Sequence, residues 1–157
     1  MRRQLHPDAS HVADTLIARG HHGVIVNQER PTRTAAAAAA VLAAEIGAII
    51  RSLVFLLDDD PVLLLISGAH EAHLDRTGNR LGGTLTYAST SMAEQVTGQS
   101  IAGTAPLGHP TNLPTYLDNA LSRYPELWAA GGYPDTVFRT TFRELVRITA
   151  GLAIDVD

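Results

Sequence analysis

Residues whose types could do chemistry gather in two parts of this 157-residue chain. Gly103-Thr104-Ala105-Pro106-Leu107-Gly108-His109 sets two glycines and a proline in one loop. Such a backbone holds a fixed shape and turns its amide N–H groups toward a ligand, as needed to grip an ester carbonyl or a ribose. Half a chain earlier, Arg51 interrupts the apolar run Ile49-Ile50-Arg51-Ser52-Leu53-Val54-Phe55. A cation there requires a partner or an opening into a cleft. Asp118, closing Thr115-Tyr116-Leu117, can orient Arg51 or a water. Its plainer role is to cap a turn, and Arg51 has Glu45 as another structural partner.

Composition removes several chemistries. The chain has no cysteine, so disulfides, thiolate zinc sites and a cysteine nucleophile are excluded. All twelve of its basic residues are arginine, which excludes a Schiff base and a lysine base. The net charge of −4 lacks the broad basic footprint of a nucleic-acid-coating domain, so RNA would be met through a local patch, one RNA end or a partner's help. Asp58-Asp59-Asp60 reads as a solvated turn rather than a metal site. His21 and His22 are expected to be exposed. His70 and His73, with Glu71 between them, are weighed as zinc ligands and set aside. Ser52 and Thr104 lack any cue for a nucleophilic triad. Trp128 and Tyr133 read as packing residues. No apolar run is long enough to span a membrane and the first residues lack a signal-peptide core, so no membrane partner and a cytoplasmic location are expected.

The elements that must position these residues follow from periodicity. Apolar residues at Val12, Leu16 and Ile17 predict a helix over 11–19, and Thr34 opens an alanine-rich one running through Ala44 or beyond. Strands are expected at 23–27, 49–57, 62–67, 85–88, 115–118, 127–130, 137–139 and 153–156, with helices over 69–81, 91–97 and 141–149. Residues 49–67 read as a hairpin. The expected fold is α/β in the α+β sense: one domain over 1–157, with a mixed curved sheet or partly closed barrel flanked by helices.

Taken together, IIRSLVF, DDDPVLLLISG, TGQSIAGTAPLGH, LPTYLD, WAAGG and ELVRITAG resemble the YbaK family, which is similar to the editing insertion domain of prolyl-tRNA synthetase. The likeness runs from about His6 to Val156. It implies a free-standing, cofactor-independent deacylase that hydrolyses the ester of a mischarged small amino acid on tRNA, of the alanine or cysteine on proline-tRNA type. Such a second sieve is needed because one methylene changes binding by only about 1–3 kcal/mol. The family mechanism is largely substrate-assisted, with the vicinal ribose hydroxyl and a bound water handling protons.

By this resemblance Arg51 stands where the family has a lysine; it supplies the charge and a fork for phosphate or ribose oxygens without acting as a base. Gly103, Thr104 and Ala105 would position carbonyl and ribose through backbone amides. Ala102 replaces the first glycine of a Gly-x-x-x-Pro loop, and is strained there only if that backbone needs a positive φ. Ala102, Pro106, Gly108, His109, Asp118, Gly131 and Gly132 complete the expected substrate contacts, although for His109 alone a surface position beside Pro110 is the plainer reading. The implied partners are the acceptor end of an aminoacyl-tRNA and an aminoacyl-tRNA synthetase, and not DNA. A noncatalytic module binding a tRNA 3′ end or a synthetase is the alternative, and a hydrolase of other small aminoacyl esters is a more remote one.

Overall fold

The computed structural model describes residues 4–157. Helix α1 spans Pro7–Ala18, four residues earlier than its apolar spacing predicts. Proline is tolerated at the first turn, where its missing N–H costs nothing, and His6 Nδ1 accepts the Asp8 amide at 3.1 Å. Ala9, Val12 and Leu16 form its buried stripe. Strand β1 is only Val26–Asn27. Thr34 caps α2, Ala35–Leu42, by accepting the Ala37 amide. That helix stops at Ala43, which is left-handed, well short of Gly47.

Strands β2, Ile50–Leu57, and β3, Asp60–Ser67, form the expected hairpin. Asp58 and Asp59 take φ of 48° and 70°, the mirror-image turn that matches strand twist. The triple aspartate is therefore turn chemistry: Asp58 Oδ1 also accepts the Thr84 amide at 2.9 Å. Helix α3 covers only Leu74–Leu81, because His73 is its N-cap and residues 68–73 are a loop. Strand β4, Leu85–Tyr87, leads to α4, Thr90–Thr97, capped by Ser89. After the loop come β5, Thr115–Asp118; β6, Leu127–Ala130; β7, Thr136–Thr140; α5, Phe142–Thr149; and β8, Leu152–Ile154.

The strands make a five-stranded mixed sheet, β4-β2-β3-β5-β8, and a three-stranded antiparallel one, β1-β7-β6. Among the described residues a single bridge between Ile49 and Trp128 links them, and neither closes into a barrel. β3 is buried from Val62 to Ser67, as its unbroken apolar run requires of a central strand. The two faces of the large sheet serve different cores. Ile50, Val54, Leu63 and Leu65 pack with α1, α5 and the small sheet; Phe55, Val62, Leu64 and Ile66 pack beneath α3 with Val156.

Candidate active site

Alternation along β2 decides where Arg51 points. It is paired with Ile66 and shares the face of Leu53 and Phe55, toward α3. Its Nη1 donates to the His70 carbonyl at 2.9 Å and to Glu71 Oε1 at 3.2 Å. The guanidinium is 28 % exposed and Glu71 is 83 % exposed. Neither Asp118 nor Glu45 makes an ion pair with it among the described residues.

Asp118 is 2 % exposed and fully engaged. Oδ1 accepts the Ala120 amide at 3.0 Å, capping the turn over 119–123; Oδ2 accepts the Ser67 amide at 3.1 Å and meets His70 Nδ1 at 2.9 Å. An ionised carboxylate only accepts, so His70 Nδ1 is the donor, and whenever the ring is neutral its lone pair lies on Nε2. That nitrogen faces Asp157 Oδ2 at 3.5 Å. The ends of β3 and β5 thus gather Arg51, His70, Glu71, Asp118 and Asp157. His73 turns away to cap α3, and among the described residues no cluster of three acidic or histidine side chains has metal-holding geometry.

The glycine loop occupies the other face. Ala105 and Leu107 pack in the core of Ile50 and Val54, and Gly103 through Leu107 are all buried. Gly103 is demanded by proximity: a Cβ there would collide with the Tyr133 carbonyl carbon and Pro134 nitrogen. Gly108, at φ 85°, supplies the left-handed turn. Ala102 has no positive φ, so the replacement of the family's glycine carries no backbone strain. The Gly103 amide donates to the Ser100 carbonyl at 2.9 Å, while the Ala105 amide donates to Gln99 Oε1 at 2.8 Å. Thr104 Oγ1 donates to the Ser100 carbonyl. Gly132 donates its amide to the Gly103 carbonyl at 2.8 Å, and Gly131 is tied to Thr136, so the second glycine turn braces the first.

His109 is half-buried rather than on the surface: its Nε2 is 2.9 Å from the Ala105 carbonyl, and burial pushes its pKa down. With Pro106, Leu107, Arg19 and Arg147 it lines a cleft of about 390 Å³. A larger groove of about 810 Å³ runs between α1 and β1. His21, on its wall, is buried: Nδ1 accepts the Gly23 amide at 2.8 Å and Nε2 meets Thr140 Oγ1 at 3.0 Å. Tyr133 stacks on His6 with centroids 3.8 Å apart.

Sequence reasoning missed two residues. Gln99 is a buried brace for the loop, and nothing local marks it out. His70 was weighed only as a zinc ligand, since its partner Asp118 lies 48 residues away in sequence.

The strand ends of the mixed sheet hold Arg51 beside the contact between buried Asp118 and partly exposed His70, and the braced glycine–proline loop lies on the opposite face. The chain belongs to the aminoacyl-tRNA editing domain family, a family of aminoacyl-tRNA hydrolases; the family model matches residues 29–148. One similar crystal structure is that of a candidate trans-editing enzyme for prolyl tRNA synthetase, 40 % identical over 98 % of this chain and 99 % of that one, with a TM-score of 0.92. A scaffold protein from computational epitope grafting is 37 % identical over 98 % of each chain, with a TM-score of 0.89. The hypothetical protein APE2540 is 25 % identical over 93 % of this chain and 98 % of that one, at 0.87. Among curated proteins, none matches the sequence.

Proposed function

We propose that this protein hydrolyses the ester between a mischarged small amino acid, of the alanine or cysteine on proline-tRNA type, and the terminal ribose of tRNA. The reaction is largely substrate-assisted, with the vicinal ribose hydroxyl and a bound water taking part in the proton transfers. The observation that carries this reading, beside family membership, is the state of Arg51. Its acidic partner Glu71 is almost fully exposed, and an ion pair of that kind is worth only about 0–1 kcal/mol. Phosphate or ribose oxygens of an acceptor end therefore displace Glu71 at little cost and gain a forked, charge-assisted contact.

Arg51→Ala is expected to lower kcat/KM by about 10- to 100-fold on whichever ester the wild type hydrolyses, the worth of a hydrogen bond to a charged group. Arg51→Lys restores the family's residue and should retain most activity. Equal rates for wild type and Arg51→Ala would remove Arg51 from the site.

A noncatalytic module for a tRNA 3′ end or a synthetase is the second reading. It draws on the loop, whose Gly103 and Ala105 amides are already bonded internally. It predicts RNA binding without turnover.

A further inference from the structure

We infer that His70 is the general base that takes a proton from the attacking water, and that Asp118 positions it. The inference rests on the hydrolytic reading above and names the group through which the water is activated. The resemblance offers no residue for this role, and the chain has neither lysine nor cysteine to fill it.

The geometry is that of an oriented imidazole. Asp118 is held by two backbone amides, from Ser67 and Ala120, so its remaining contact fixes the ring through Nδ1. Nε2 faces Asp157 Oδ2, and the ring as a whole is 20 % exposed. Asp157, at 3.5 Å and on the surface, is too distant for a well-formed hydrogen bond and yields to a water or substrate. The His70 carbonyl also receives the Arg51 guanidinium, so the base and the proposed anchor for the substrate are adjacent. The charged groups facing the ring are Asp118 from β5, Asp157 from the chain end, Arg51 from β2 and the neighbouring Glu71.

The steps balance as an ester hydrolysis. Water gives a proton to Nε2 as its oxygen bonds to the acyl carbon. The tetrahedral intermediate then breaks its bond to the ribose oxygen, which recovers that proton from Nε2 directly or through the vicinal hydroxyl. Free amino acid and the deacylated ribose are the products, and His70 returns neutral.

The test measures kcat and KM on the hydrolysed ester for wild type and His70→Ala as pH is varied, with and without added imidazole. The His70 carbonyl survives this substitution, and the side chain lies near the surface, so fold and Arg51 are retained. The expected result is a fall in kcat of about 100- to 10,000-fold with KM held, the range for loss of general-base catalysis. The low-pH limb of the rate profile should vanish, and imidazole should restore part of the rate. Asp118→Asn, if its melt shows it folded, should lose the same limb by favouring the wrong tautomer. Wild-type turnover with an equally active His70→Ala variant would overturn the inference alone. So would a loss that imidazole does not repair and that leaves the pH profile intact, since that marks a structural role. A wild type inert on every ester would overturn the hydrolytic reading itself.

Discussion

At the residue scale, the glycine–proline loop is specified by packing more than by backbone freedom. Gly103 lies against the backbone of Tyr133 and Pro134, so Gly103→Ala forces the two glycine turns apart. It should destabilise the fold by about 1–3 kcal/mol, read in a denaturant melt, as overpacking in a rigid interior does. Ala102 behaves oppositely. With no positive φ to relieve, Ala102→Gly should not stabilise the protein, and the added chain entropy costs about 0.5–1 kcal/mol. A stabilised Ala102→Gly variant would show that alanine is strained at this position after all. These residues were legible as a loop because glycine and proline announce themselves. The Asp118–His70 contact was not, because parallel pairing of β3 with β5 brings distant strand ends together only in three dimensions.

At the element scale, local signals located most helices. Thr34 and Thr141 were identified as caps from sequence, and each accepts the amide three residues on, from Ala37 and Glu144. Thr141→Ala should therefore cost α5 about 1 kcal/mol, measured as a lowered melting point, while Thr141→Ser or Thr141→Asp should hold it. Boundaries failed where capping beat periodicity. His6 and Pro7 started α1 early, and His73 capped α3 where a longer helix was expected. The expected final strand over 153–156 is displaced to Leu152–Ile154, leaving the Val156 carbonyl to accept from the His73 amide and the Thr77 hydroxyl. Strand alternation was legible along β2, yet its consequence for Arg51 was not. The apolar run holds no polar face for contrast, so only the burial of Phe55 beneath α3 reveals which side Arg51 takes.

At the scale of the whole molecule, two histidines tie acid sensitivity to the fold. His21 and His109 are both pushed below their ordinary value of 6.5 by burial, and both are held by hydrogen bonds. The unfolded chain thus binds protons that the folded one refuses, so stability rises with pH up to about that value and falls on acidification below it. Protonating His21 Nδ1 would also break its bond from the Gly23 amide. Melting temperature should drop as pH is lowered from neutral, and His21→Gln should flatten that drop even if its stability at neutral pH is lower. The mixed α+β architecture was readable from the alternation of strand and helix signals. The division into two sheets joined at Ile49 and Trp128 was not, since one bridge leaves no periodic trace.

The central claim is hydrolysis, and turnover by the wild-type protein tests it most directly. The measurement is deacylation of a panel of mischarged tRNAs carrying alanyl, cysteinyl, seryl and threonyl esters, with binding of the same RNA 3′ ends followed in parallel. The account predicts release of one small amino acid faster than spontaneous hydrolysis. Binding of the acceptor end with no acceleration on any ester would contradict it and leave the noncatalytic module in its place.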